Sequence, residues 1–141
     1  MSDQPEREEL VWEEDYSVNV KEIDEQHKHL FVIINQLVDV INDVPREGTI
    51  LPIVNEIIAY KAAHFGTEDK YFHQFNFEGT LEHEKVHQGF GQKIKELQAA
   101  NEGDVIALAF DLVDFLEDWL IGHLMNMDKK YIKCFNEHGL Y

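Results

Sequence analysis

Residues 20–44 read VKEIDEQHKHLFVIINQLVDVINDV and predict a long amphipathic helix. Six residues on one face of this helix are spaced four, three, four, three and four positions apart, which is typical of the packing seam of a bundle helix. Pro45 disfavours helical geometry in the residue before it, so the helix should end near Val44. Five of the six seam positions are apolar and the other is a histidine: Ile23, His27, Leu30, Ile34, Leu37 and Ile41.

Three further segments show the same kind of seam. The second helix should begin near Thr49, a residue type that caps helices, with Pro52 tolerated in its first turn. The third should open at Thr80, after the turn-like residues 76–79, and Asp104 should cap the fourth. No stretch alternates with period two for long enough to predict a strand. The sequence therefore predicts an all-α fold, an antiparallel up-down four-helix bundle with an extended N-terminal arm and a short C-terminal tail.

Length and charge narrow the class of protein. The 141 residues fit a single domain over 1–141, with an arm over 1–18 that packs Trp12 and Tyr16 against a bundle over about 19–131. A net charge of −16 argues against nucleic acid or an anionic membrane as partner. The single cysteine excludes an internal disulfide. Since no signal peptide and no membrane-spanning apolar run is recognisable, we expect a cytoplasmic protein. We also expect it to be a monomer.

Histidines occupy seam positions that a bundle normally fills with apolar side chains. Burying such groups without partners would cost at least ~1–3 kcal/mol each, against a total stability of ~5–15 kcal/mol. A bound metal would satisfy all of them together, and Glu68 lies on the same seam as one of them. Five of the eight histidines are placed in this way: His27, His64, His83, His87 and His123.

The segment HEKVH, residues 83–87, fits the H-E-x-x-H pattern of zinc proteases. Histidines four residues apart lie on one helical face and can share a metal. The extended protease motif, however, needs glycine and histidine where this chain has Phe90 and Lys93. Glu84 lies ~100° around the helix from His83, away from the predicted metal. The two histidines are therefore interpreted as ligands without a catalytic glutamate.

The residue types indicate which metal the site prefers. Histidines with carboxylates suit iron or zinc better than magnesium or calcium, which take oxygen ligands. Six candidate ligands exceed the four of one zinc site, which indicates two metals. A ferritin-like di-iron enzyme would need two Glu-x-x-His motifs, and the only match here is Glu84 to His87.

Four motifs together resemble the hemerythrin family, in particular its single-domain bacterial members. They are IDEQHKHLF at 23–31, HFGTE at 64–68, HEKVH at 83–87 and WLIGHLMNMDKKY at 119–131. They fall in order on the four predicted helices, and the similarity extends from about Trp12 to Tyr131. The resemblance implies a non-haem centre of two iron ions.

The resemblance also assigns the ligands. One iron would be bound by three histidines: His83, His87 and His123. The other would be bound by His27 and His64. Glu68 and Asp128 would bridge the two irons together with an oxo or hydroxo group. This set leaves one position open for a small ligand such as O2, on the iron with two histidines.

Asp128 is assigned by resemblance alone. It lies five residues after His123, which is ~140° around an ideal helix. To reach the same centre as His123, it would need a local distortion or a helix that is ending there.

The implied function is reversible O2 binding by an oxygen carrier, store or delivery module, which is not an enzyme and serves an oxygen-consuming client enzyme. An oxygen or peroxide sensor, or a slow peroxidase-like enzyme, could use the same centre, and a bundle with structural zinc is a third alternative. No acid–base group is recognisable beside the centre, which favours binding over turnover. Residues near the ligands are expected to form an apolar O2 pocket: Leu30, Phe31, Phe65, Trp119, Leu120 and Leu124.

Overall fold

The computed structural model describes residues 7–141, apart from the side chains of Leu124 and Met125. Its four long helices are α1 (Lys21–Asn42), α2 (Glu47–Phe75), α3 (Thr80–Ala100) and α4 (Val105–Gly122). The short connections 43–46, 76–79 and 101–104 turn each helix back along the previous one. Each helix packs on the next, and α1 also packs on α4. The predicted all-α four-helix bundle is therefore confirmed, and the described residues contain no strand.

The helix boundaries follow local chemistry, with one correction. Asp104 caps α4 as predicted, because its Oδ1 accepts a hydrogen bond from the backbone N–H of Ala107 at 3.0 Å. The predicted cap at Thr49 is wrong, since α2 already begins at Glu47. The Thr49 hydroxyl instead donates to the carbonyl of Arg46 at 2.8 Å. Pro52 consequently lies beyond the first turn of α2.

The chain changes helix type directly after α4. A π-helical segment, His123–Met127, is followed by a 3₁₀ segment, Asp128–Tyr131, and by the short helix α5 (Ile132–Glu137). The backbone N–H of Asp128 donates to the carbonyl of His123, five residues earlier. Such a widened turn brings residues five apart onto the same face. The structure thus contains the local distortion that Asp128 was expected to need.

The N-terminal arm packs along α1. The backbone N–H of Arg7 donates to Asn42 Oδ1 at 2.9 Å, and that of Leu10 donates to Asn35 Oδ1 at 2.8 Å. Trp12 and Tyr16 lie against the bundle as predicted, in contact with the buried residues of its core. The first six residues lie outside the described part of the chain.

The apolar core has two parts. The larger cluster fills the bundle from Leu30 to Leu120, and the smaller one gathers Val18, Phe72 and Phe135 near the π-helical segment. Within the described residues, no helix is long and apolar enough to cross a membrane.

Candidate metal centre

Seven histidine and carboxylate side chains are buried in the bundle, each at most 7% exposed. They come from α1, α2 and α3 and from the π-helical and 3₁₀ segments that follow α4. The structure brings together every residue that the resemblance assigns to the iron centre: His27, His64, Glu68, His83, His87, His123 and Asp128.

The histidines form two sets. The three-histidine set consists of His83, His87 and His123, whose ligand atoms lie within 4.8 Å of one another and of Glu68. The two-histidine set consists of His27 and His64, whose ligand atoms lie within 4.8 Å of each other and of Asp128. This division matches the implied division of ligands between two irons.

Glu68 contacts both sets. Its Oε1 lies 3.0 Å from Nε2 of His87 and 3.3 Å from Nε2 of His64. Its position on α2, one turn after His64, places the carboxylate between the sets.

Asp128 also contacts both sets. Its Oδ1 lies 2.6 Å from Nε2 of His123 and 2.9 Å from Nε2 of His83. Its Oδ2 lies 2.9 Å from Nε2 of His27. Two carboxylates that each contact both sets fit the implied bridging role.

Several buried nitrogen and oxygen atoms of the site have no hydrogen-bond partner among the described residues and are free to bind cations. The short contact between His123 Nε2 and Asp128 Oδ1 lacks hydrogen-bond geometry, and no other described residue pairs with that nitrogen. Nε2 of His27 and Nε2 of His64 face each other at 3.2 Å. Buried polar atoms without hydrogen-bond partners, such as His123 Nε2, are costly, and a cation among them would satisfy them. Histidine nitrogen with carboxylate oxygen is a donor set that suits iron.

The shifted pKa values keep His64 neutral and the two carboxylates ionised at neutral pH, which are the protonation states that bind a metal. Burial lowers the pKa of His64 to about 4, so the ring is neutral at pH 7 and can offer its lone pair. Burial alone would raise the pKa of Glu68 and that of Asp128, but the surrounding histidines outweigh burial and lower both. The two carboxylates are therefore ionised at neutral pH.

Two side chains outside the assigned ligands contact histidine Nδ1 atoms. The His64 Nδ1–H donates to Gln26 Oε1 at 2.7 Å, which directs the Nε2 lone pair toward the centre. Nδ1 of His87 lies 3.5 Å from Oδ1 of Asp69. Sequence reasoning missed both contacts, although Gln26 lies within a quoted motif directly before His27.

Glu84 has no place in the centre. Its Oε1 lies 2.9 Å from Nε2 of His73, a histidine on the surface. The glutamate of HEKVH is thus directed away from the buried set, as its position around the helix predicts.

Two of the three aromatic members of the predicted O2 pocket stack on the three-histidine set. Phe65 stacks on His87 with ring centroids 3.8 Å apart and an interplanar angle of 8°. Trp119 stacks on His123 at 4.2 Å and 14°. The role of these rings in O2 binding stays a prediction.

The other predicted pocket residues have different surroundings. Leu30 and Leu120 are completely buried in the larger core cluster. Phe31 contacts the arm, because its ring centroid lies 5.5 Å from that of Trp12. The side chain of Leu124 lies outside the described residues.

Two buried tyrosines correct the expectation that no acid–base group lies beside the centre. Tyr60 stacks on His64 with centroids 5.3 Å apart, and Tyr131 lies 5.6 Å from His83. Neither hydroxyl has a hydrogen-bond partner among the residues that the structure describes. Burial, followed by the charges of Glu68 and Asp128, raises the pKa of both phenols well above the ordinary value. The sequence did contain a signal for Tyr60, because it is a tyrosine on the same helix seam as the ligand His64.

Comparison with known proteins agrees with this geometry. The family model of the Hemerythrin HHE cation binding domain matches residues 18–135. The chain is 28% identical to a bacteriohemerythrin of Pseudomonas aeruginosa, over 87% of this chain and 79% of that protein. It is 28% identical to a hemerythrin-like protein of Naegleria gruberi, over 85% and 88% of the respective chains. A bacteriohemerythrin of Clostridium acetobutylicum is 24% identical over 87% and 98%. The chain belongs to the hemerythrin family.

Proposed function

We propose that the chain binds O2 reversibly at a non-haem di-iron centre, as an oxygen carrier, store or delivery module rather than as an enzyme. Membership of the hemerythrin family implies non-haem iron and an oxygen-related function. One observation carries the proposal: two buried carboxylates each contact both histidine sets. That arrangement fits two cations that share both carboxylates.

Each part of the centre has a role in this proposal. The three-histidine set would hold one iron, the two-histidine set would hold the other, and Glu68 and Asp128 would bridge them. When bound, the irons supply the redox chemistry that O2 binding requires. The ionised carboxylates balance the charge of the cations, and Gln26 holds His64 in the tautomer that can coordinate.

The unequal number of histidines supports binding of a small ligand. Two histidines leave more of a metal's coordination to other groups than three histidines do. The two-histidine set is therefore the half of the centre where O2 should bind. All the proposed ligands are buried, which excludes bulk water from that half.

A redox enzyme that uses the same centre is the second candidate. The phenols of Tyr60 and Tyr131 favour it, because they place proton-bearing groups against His64 and His83. A peroxidase-like reaction would use such groups, whereas simple binding requires no turnover.

Cycles of oxygenation distinguish the two functions. The protein should be loaded with ferrous iron without oxygen, and its visible spectrum recorded under O2 and again after argon purging. Reversible binding predicts an absorption band that forms under O2 and disappears on purging over several cycles. A one-way change to a ferric spectrum would favour the redox enzyme, and failure to take up iron would contradict both functions.

A further inference from the structure

Tyr60 carries a buried hydroxyl group that the ligand set does not use. The side chain is 6% exposed, and its ring stacks on His64 at an interplanar angle of 17°. Within the described part of the chain, its hydroxyl oxygen has no hydrogen-bond partner. A buried hydroxyl without a partner is unfavourable, and a phenylalanine would fill the same space without that disadvantage. The hydroxyl therefore needs an explanation outside the packing of the bundle.

The location of Tyr60 explains its buried hydroxyl. It lies one turn before His64 on α2, so its ring covers the two-histidine set. A phenol keeps its proton at neutral pH, since its ordinary pKa is ~10, and it can therefore donate a hydrogen bond. The group that contacts the two-histidine set is thus a donor that has no acceptor within the described protein.

Tyr131 differs from Tyr60 in a way that makes the assignment specific. Its ring stacks on Phe135 at 4.5 Å and lies near His83, beside the three-histidine set. Burial, followed by the charges of Asp128 and Glu68, raises the pKa of its hydroxyl. Tyr131 therefore lies beside the three-histidine set, whereas Tyr60 lies on the half where O2 should bind.

We propose that the Tyr60 hydroxyl donates a hydrogen bond to the small ligand that binds at the two-histidine set. Tyr60 is then a positioning residue that favours ligands able to accept a hydrogen bond, such as O2 or a small anion. This inference rests on the proposed function, because it assumes a ligand at that half of the centre. It adds that the chain tolerates an unpaired hydroxyl in its metal-free core in order to hold that ligand.

A pair of matched variants tests the inference in the metal-free protein. Tyr60→Phe removes a hydroxyl without a described partner, whereas Tyr71→Phe, on the same helix, removes one that donates to Glu22 at 2.8 Å. Tyr60→Phe should leave the Tm equal to or as much as about 5 °C above that of the wild type, while Tyr71→Phe should lower it. A fall in Tm for Tyr60→Phe comparable to that for Tyr71→Phe would overturn the inference.

Azide, a small anion that accepts hydrogen bonds, tests the same variants in the ferric, iron-loaded protein. Tyr60→Phe should weaken azide binding by about tenfold or more, because hydrogen bonds to charged groups are worth ~1.5–3 kcal/mol. Its iron content should equal that of the wild type, and Tyr71→Phe should bind azide as the wild type does. If Tyr60→Phe binds azide with wild-type affinity, the inference is wrong while the proposed function stands. If the wild type takes up no iron, both are wrong.

Discussion

The two histidine sets lie in one bundle but have different neighbours. The three-histidine set packs against two large rings, with Phe65 on His87 and Trp119 on His123, while Tyr131 and Asp69 also lie beside it. The two-histidine set meets polar groups, because the phenol of Tyr60 and the amide of Gln26 both contact His64. The ring of Phe65 can only pack against a ligand, whereas a phenol and an amide can also form hydrogen bonds.

This difference indicates that the two sets have different roles in the centre. The three-histidine set is enclosed by packing that supports a metal with protein ligands alone. The two-histidine set has fewer protein ligands, which leaves more of its metal's coordination to an external ligand. The shared carboxylates of Glu68 and Asp128 couple the two halves.

Replacing a shared carboxylate should have the largest effect, because it removes a contact from both sets. Glu68→Gln keeps the size of the side chain but loses the charge that balances the cations. We expect it to abolish most iron binding by both sets, whereas His64→Leu should spare the three-histidine set. Iron per chain, measured by atomic emission, distinguishes these outcomes.

Glu84→Gln is the matched control for that experiment. It changes the glutamate of HEKVH, which contacts His73 on the surface, and should leave the iron content unchanged. Wild-type iron content in Glu68→Gln would contradict a shared carboxylate.

Removing an aromatic ring that packs on the three-histidine set should strongly destabilise the metal-free protein. Phe65 is 7% exposed and packs against His87, Phe90 and Trp119, so Phe65→Ala should cost about 3–5 kcal/mol. Urea denaturation measures the loss. Leu81→Ala, at a side chain that is 74% exposed, should change stability by less than about 0.5 kcal/mol. Equal effects of the two variants would show that Phe65 is not a packing residue.

Acid should destabilise the metal-free protein through the two-histidine set. The pKa of His64 falls from 6.5 to about 4 on folding, so the unfolded chain binds the proton first as the pH falls. Stability is therefore complete above pH 6.5 and is lost as the pH falls toward 4. His64 should contribute roughly 2 kcal/mol to the loss between pH 7 and 4.5. Urea denaturation at both pH values should show a smaller loss for His64→Gln, and equal losses would exclude this origin.

Loss of the hydrogen bond between Gln26 and His64 should have the smallest effect. Gln26→Leu leaves the His64 ring free to adopt the other tautomer, and we expect about tenfold weaker iron binding by the two-histidine set. Competition with a chelator measures this affinity. Gln88→Leu, at an exposed glutamine directly after His87, is the matched control. Identical affinities for the two variants would contradict an orienting role for Gln26.

Much of the fold could be predicted because apolar side chains recur at helical spacing. The five histidines were identifiable by the same means, since each interrupts an apolar seam. Asp104 could be recognised as a cap because capping depends on the local chain. Thr49 misled the prediction, because residue type alone does not show whether its hydroxyl donates or accepts.

The rest of the site depends on geometry that spacing does not contain. Asp128 reaches the centre through a π-helical turn, and ideal α-helical geometry places it elsewhere. Gln26 contacts a histidine on another helix, 38 residues away. Tyr60 lies one turn before His64, but spacing does not show that its hydroxyl is buried without a partner among the described residues.

The central claim is most directly tested by the amount of O2 bound and recovered per iron. Ferrous protein should be titrated with O2 in a closed cell with an oxygen electrode, then purged, and the released O2 measured against the iron content. Reversible binding at a centre of two irons predicts one O2 taken up per two irons, with nearly all of it recovered. Uptake without recovery, or a ratio that tracks single irons, would contradict that claim.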